Sequence, residues 1–125
     1  MSRDEPENVV DAYLKALEAR DYELARTFLS DDHFRYHGPT GQFDDPDRFM
    51  EVVWPVGQIL RSIERRKTFV DGPNVCNFMT YHVHLDEPKS VSVVQWAVVE
   101  NGRIVSIETV FDASEYVRMF GSETD

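Results

Sequence analysis

The 125-residue sequence contains a single cysteine, Cys76. One thiol cannot form a disulfide within the chain, so we expect a protein of a reducing compartment and a cytoplasmic location. No segment approaches the roughly 20 consecutive apolar residues of a membrane span, and no apolar N-terminal stretch resembles a signal peptide. These absences predict neither a membrane anchor nor secretion.

Basic residues are also scarce. Lysine and arginine together number 13 against 23 acidic residues, which gives a formal net charge of −10. Such a surface repels phosphate backbones and anionic lipid headgroups, so we expect no nucleic-acid partner and no membrane partner. The hydrophobic content of 42% is typical of globular proteins, and the length predicts one domain over residues 1–125.

Apolar residues at helical spacing predict three helices in the first half of the chain. The buried side of the first helix contains Val10, Tyr13, Leu14 and Leu17. The second helix is capped by Asp21, and its predicted buried side contains Leu24, Ala25, Phe28 and Leu29. Asp45-Pro46 opens the third helix, because an N-cap followed by proline is a common start signal, and Pro55 is expected to end or kink it.

Alternating apolar and polar residues replace the helical spacing in the second half. A short strand over residues 33–37 precedes the third helix, and four long strands follow it, over residues 62–71, 75–85, 90–100 and 103–112. Asn101-Gly102 joins the last two as a hairpin, because both turn residues tolerate positive φ. A short helix is predicted over residues 113–120. This order predicts an α+β fold: a cone-shaped curved antiparallel sheet wrapped around an N-terminal helical hairpin and a third helix.

Four sequence motifs, read with this order of elements, resemble the nuclear transport factor 2-like superfamily, and within it the SnoaL-like (polyketide cyclase and ketosteroid isomerase-like) domains. The motifs are Val9-Val10-Asp11-Ala12-Tyr13-Leu14, Phe28-Leu29-Ser30-Asp31-Asp32, His37-Gly38-Pro39 and Gly102-Arg103-Ile104-Val105. The resemblance covers nearly the whole chain. Because members include isomerases, cyclases, epoxide hydrolases, dehydratases and binding modules, the fold alone does not settle the function.

The resemblance implies three catalytic positions. Tyr13 stands where isomerase-like relatives keep a phenol that donates to a developing oxyanion, and Gln95 stands at their second donor. His37 stands where they keep a carboxylate base. An imidazole titrates near pH 6.5, so His37 could act as the base instead. We therefore expect His37 and Tyr13 to share one cavity.

A fourth position departs from some relatives. Thr109 occupies the place of an acidic residue in cyclase-like and epoxide-hydrolase-like members, and a hydroxyl cannot exchange a proton near neutral pH. Epoxide hydrolysis is therefore disfavoured. If the protein is an enzyme, isomerase-type or cyclase-type proton transfer is expected; the alternative is a non-catalytic module for small-ligand binding or dimerisation.

The resemblance implies which side of the long strand 75–85 faces inward. If Gln95 also faces inward, strand alternation extends the inner face to the last two strands. Together with the third helix, this predicts a mostly apolar pocket lining for a small hydrophobic or aromatic ligand. The predicted lining residues are Phe49, Met50, Trp54, Met79, Tyr81, Val83, Ala97, Ile107, Thr109 and Phe111. No cofactor is expected. A filled core without a cavity is the alternative.

His82 and His84 point to the same face of one strand and could chelate a metal. No third ligand lies nearby on that strand, so we expect no metal. The same alternation places both imidazoles on the convex face of the sheet with Val94, Trp96 and Val98. An apolar convex face is expected to be buried against another protein surface, so we expect a homodimer.

Overall fold

The computed structural model describes residues 5–39, 41–112 and 114. The elements in chain order are α1 (Pro6–Glu18), α2 (Tyr22–Thr27), β1 (Arg35–Gly38), β2 (Gly41–Phe43), α3 (Pro46–Ile59), β3 (Leu60–Asp71), β4 (Asn74–Leu85), β5 (Glu87–Glu100) and β6 (Arg103–Phe111). The helix predicted over residues 113–120 lies, except for Ser114, outside the described residues. No helix in the described part is long and apolar enough to cross a bilayer.

The six strands form one curved sheet in the order β2-β1-β6-β5-β4-β3. Strands β3 to β6 pair antiparallel in sequence order, and β1 pairs antiparallel with β2. The predicted α+β class and its four long antiparallel strands are confirmed. Two features were not predicted. One is the short strand β2, and the other is the parallel pairing by which β1 joins the hairpin at β6.

Helix α1 supplies much of the core because its apolar residues recur every three or four positions. Val10, Tyr13, Leu14 and Leu17 are all buried on one face. Helix α2 is short and buries only Ala25 within its span. The prediction that Leu24 is buried is wrong, since 46% of that residue is exposed. A six-residue helix turns less than twice, so it presents only a narrow face to the core.

Helix α3 runs through Pro55 and ends at Ile59. Proline removes one N–H from the helical hydrogen bonds, which explains why the sequence suggested an end or a kink there. Gly57 lies two residues before the end of α3, at a point where a Cβ would overlap the hydroxyl of Tyr22. The missing side chain thus lets α2 and α3 approach closely. The second half of α3 lies over the inner face of the sheet.

The sheet has two distinct faces. Its inner face packs on the helices and carries buried residues such as Met79, Ala97 and Ile107. Its outer face carries exposed large apolar side chains, which are Phe69, Phe78, Trp96 and Val110.

Candidate ligand cavity

A cavity of about 130 Å³ lies between helices α1 and α3 and the inner face of the sheet. Its lining residues are Tyr13, Leu17, Tyr36, Phe49, Val52, Val53, Val56, Gly57, Ile59, Leu60, Tyr81, Val83, Val91, Val93, Gln95, Thr109 and Phe111. Most of them are apolar. The polar groups come from three tyrosines, Gln95 and Thr109.

Seven residues expected at the site line this cavity, and these are Tyr13, Phe49, Tyr81, Val83, Gln95, Thr109 and Phe111. Met79, Ala97 and Ile107 do face inward, but they are fully buried core residues outside the lining. Met50 is partly buried against the core. Trp54 is 53% exposed and is not among the lining residues.

The structure contradicts the expected position of His37. On β1, Tyr36 pairs with the buried Ile107, whereas His37 pairs with the exposed Glu108. Neighbouring residues of a strand point to opposite faces, so Tyr36 enters the cavity and the exposed His37 lies on the outer face. The prediction that His37 and Tyr13 share one cavity is wrong.

The sequence contained a signal for the correct parity. Phe34 and Tyr36 alternate with His33, Arg35 and His37. A strand with one buried face places its apolar set inward, which makes Tyr36 the inward residue. The structure agrees, since Phe34 is 1% exposed and Tyr36 is 7% exposed.

The other missed residues come mainly from helix α3. Val52, Val53, Val56 and Ile59 form one wall, and the latter two follow Pro55. Their spacing of three and four residues is the helical signal that could have identified them. The expectation of a break at Pro55 concealed it.

Two tyrosines of the cavity, Tyr13 and Tyr81, are held in their neutral form. Burial raises the pKa of Tyr13 well above its ordinary value, and the neighbouring phenols of Tyr81 and Tyr36 raise it further. Burial, and then Tyr36, likewise raises the pKa of Tyr81. Tyr13 and Tyr81 can therefore donate hydrogen bonds at neutral pH but cannot act as phenolate bases.

A row of polar side chains crosses the inner face at a single register. Thr68 pairs with Asn77, Asn77 with Gln95, and Gln95 with Thr109, on four successive strands. The Thr68 hydroxyl donates to Oδ1 of Asn77 at 2.5 Å. The Oε1 atom of Gln95 is buried and has no hydrogen-bond partner among the described residues. The row thus reaches the cavity at Gln95 and Thr109, and it includes one unsatisfied acceptor.

No carboxylate, imidazole, amine or guanidinium group lines the cavity within the described part of the chain. The nearby charges pair with one another outside it: Asp11, for example, forms ion pairs with Lys15 and Arg65. The arrangement can hold an uncharged molecule and bind its polar group by hydrogen bonds. It offers no side chain that exchanges a proton near neutral pH.

The two histidines of β4 lie outside the cavity. The ring nitrogens of His82 are 3.1 Å from Oε1 of Glu64 and 3.1 Å from Oγ of Ser90. Nδ1 of His84 is 3.1 Å from Nη2 of Arg61. Among the residues with described positions, no group of three histidine, cysteine or acidic side chains could hold a metal ion. Both imidazoles instead contact side chains of the neighbouring strands.

Comparison with known families gives one match, to the SnoaL-like domain, over residues 10–107. No curated protein matches the sequence significantly.

Several solved structures share the fold. A nuclear transport factor 2-like protein of unknown function from Burkholderia pseudomallei is 20% identical, with a TM-score of 0.78, and the match covers 98% of this chain and 100% of that one. An epoxide hydrolase from M. tuberculosis is 21% identical over 90% of this chain and 84% of its own, with a TM-score of 0.72. A protein with a ketosteroid isomerase-like fold from Catenulispora acidiphila, solved with trimethylamine, is 15% identical over 94% and 95%, with a TM-score of 0.74.

Proposed function

Because the chain belongs to the SnoaL-like domain family, whose fold hosts both enzymes and binding modules, we propose that it binds one small, mostly apolar molecule in the cavity beneath α3 without acid–base catalysis. The observation that carries this proposal is the lining: apolar side chains and neutral polar groups, with no ionisable base among the described lining residues. Such a lining is typical of sites for small organic molecules.

The cavity volume limits the size of the ligand. At about 130 Å³, it is similar to an engineered apolar cavity of about 150 Å³ that accepts benzene. A monocyclic molecule would fit without rearrangement. A steroid-sized ligand would require α3 to move away from the sheet.

Proton transfer requires a base within hydrogen-bond reach of the substrate. His37 was the expected base, and its exposed position on the outer face argues against that role. Tyr13 and Gln95 keep the proposed role of contacting a polar group of the ligand, since both line the cavity. Isomerase-type or cyclase-type chemistry therefore loses its base but not its hydrogen-bond donors, and the binding module becomes the better-supported alternative.

A cavity-filling variant tests ligand binding. Toluene titrated into the purified protein should bind with saturable heat in calorimetry. Val91 is a partly buried lining residue, and Val91→Trp should abolish binding by occupying the cavity. Val110→Trp is the matched control, because Val110 is 59% exposed on the outer face. Failure of the wild type to bind either toluene or its hydroxyl analogue phenol, or retention of binding in Val91→Trp, would contradict the proposal.

A deuterium-exchange assay tests the absence of catalysis. Acetophenone in D₂O exchanges the protons next to its carbonyl slowly, and a base in the cavity would accelerate this exchange. We expect the same rate with and without the protein, measured by NMR. Acceleration that is lost in Tyr13→Phe would instead support proton transfer in this cavity.

A homodimer through the outer face of the sheet is the second part of the proposal. Phe78, Trp96 and Val110 are exposed there, beside the partly buried Val94 and Val98. A sheet with helices on one side normally places polar residues on the other, so an apolar outer face favours a partner. The strands β4 to β6 could pair with a second copy across a two-fold axis.

Sedimentation velocity tests the dimer, with a matched pair of tryptophan variants. Trp96→Asp, on the outer face, should give monomers. Trp54→Asp, on α3, should leave the dimer intact, although Trp54 is exposed to a similar extent, 53% against 46%. A monomeric wild type would rule out the dimer. The proposed cytoplasmic location rests separately on the single cysteine.

A further inference from the structure

One atom of the cavity wall is chemically unusual. Gln95 is 5% exposed and lines the cavity, and its Oε1 is the buried side-chain atom without a hydrogen-bond partner among the described residues. An amide oxygen removed from water without a hydrogen-bond donor raises the free energy of the folded state. Buried polar groups are therefore nearly always satisfied, and an exception at a cavity suggests a role in ligand binding.

No neighbouring side chain in the described part of the chain donates to this oxygen. Asn77 lies on one side of Gln95 in the sheet and Thr109 on the other, and neither forms a hydrogen bond with Oε1. Along β5, the adjacent inward residues are Val93 and Ala97, which have no polar side-chain atoms. Because Gln95 itself lines the cavity, rotation of its amide would present Oε1 to a ligand there, and that ligand could supply the missing donor.

The charge of the cavity narrows the ligand class further. No charged side chain lines it within the described residues, so an ammonium or carboxylate ligand would be buried without a counter-ion, which is strongly unfavourable. Phenol groups at the wall can donate to a ligand oxygen. An uncharged hydroxyl group can do both things at once, because it donates one hydrogen bond and accepts others.

We propose that Oε1 of Gln95 selects the ligand, and that the ligand is an uncharged monocyclic alcohol or phenol whose hydroxyl group donates to this oxygen. This inference rests on the proposed function, since it assumes that the cavity binds a small molecule. The inference adds the chemical class of that molecule and names the residue that binds its hydroxyl group.

Matched benzene derivatives test the proposal by calorimetry on the full chain. Toluene, phenol, benzoate and benzylamine have similar rings but differ in charge and in hydrogen bonding. At pH 7, benzoate and benzylamine should bind at least 100-fold more weakly than phenol. The Gln95→Met variant keeps the side-chain length and removes the acceptor. It should therefore lower the affinity for phenol about tenfold and change the affinity for toluene by less than about twofold. Gln42→Met makes the same chemical change at an exposed position and should change neither affinity.

The outcomes separate the two proposals. If the wild type binds neither toluene nor phenol, the proposed function fails. If toluene binds but the ratio of phenol to toluene affinity is the same in Gln95→Met and the wild type, only the assignment to Gln95 is overturned. Should Gln95→Met not fold, NMR of the wild type decides: phenol, but not toluene, should shift the side-chain amide signals of Gln95, and equal shifts would overturn the assignment.

Discussion

The neutral tyrosines of the cavity predict a loss of stability at high pH. Tyr13 is 1% exposed, and burial together with the nearby Tyr81 and Tyr36 raises its pKa well above 10. In the unfolded chain the phenol titrates near pH 10. The unfolded state therefore loses this proton first, so the stabilisation is complete below about pH 10 and decreases as the pH rises toward the folded-state pKa.

The size of the effect follows from linkage. While Tyr13 remains protonated in the folded state, its contribution to the free energy of unfolding falls by about 1.4 kcal/mol between pH 9 and pH 11, and more steeply beyond. The whole chain is expected to be stable by roughly 6 to 19 kcal/mol, at about 0.05 to 0.15 kcal/mol per residue. One phenol can thus remove a measurable fraction of the total.

Urea denaturation at pH 9, 10 and 11 measures this change in the wild type and in Tyr13→Phe. The phenylalanine variant should lose about 1.4 kcal/mol less than the wild type over this range, since other groups titrate equally in both. Val10→Ala is the control: it removes buried methyl groups from the same helix and should lower stability by a similar amount at every pH. Equal pH dependence in the wild type and Tyr13→Phe would refute the reasoning.

Two further predictions concern the helices. Gly57→Ala should destabilise the protein by about 1 to 3 kcal/mol in urea denaturation, although alanine favours helices, because its Cβ would overlap the Tyr22 hydroxyl; stabilisation would contradict this. Partial burial raises the pKa of Asp11, but hydrogen bonds from Lys15 and Arg65 outweigh it and lower the pKa below 3.8. The stability that the ionised Asp11 carboxylate contributes is present above its unfolded-state pKa and is lost as the pH falls through the lower folded-state pKa. In urea denaturation between pH 5 and pH 3, the wild type should therefore lose more stability than Asp11→Asn. Equal losses would exclude a role for the ion pairs.

The element order could be read from the sequence because its signals are local and repeated. Asn101 has a φ of 53° and Gly102 a φ of 76°, as the predicted hairpin turn requires. The long strands β4 to β6 each contain several alternations, so errors at single positions do not change the assignment of faces. The resemblance turned Gln95 inward, and alternation placed Thr109 on the same face; both residues are buried.

The location of the candidate base depended on a much weaker signal. Strand β1 has four residues, and a shift of one residue moves every side chain to the opposite face. The resemblance to isomerase-like relatives put His37 at the position of their base, although the short alternation around Tyr36 favours the opposite orientation. The parallel pairing with β6 that accompanies this orientation is a long-range contact. Helix α3 presented a related difficulty, since each residue rotates by about 100° and Trp54 therefore points away while Val53 lines the cavity.

A pair of alanine substitutions on β1 tests this orientation directly. Tyr36 is 7% exposed, and its ring centroid lies 4.5 Å from that of Phe49 and 6.0 Å from that of Phe43. Tyr36→Ala would leave a cavity in this aromatic cluster, so we expect it to lower the free energy of unfolding by about 3 to 5 kcal/mol. His37→Ala changes an exposed side chain on the outer face and should alter stability by less than about 0.5 kcal/mol. It should also leave the affinity for toluene unchanged, because the imidazole does not line the cavity. If His37→Ala instead weakens toluene binding while Tyr36→Ala folds with little loss of stability, β1 is oriented the other way, and the base returns to the cavity.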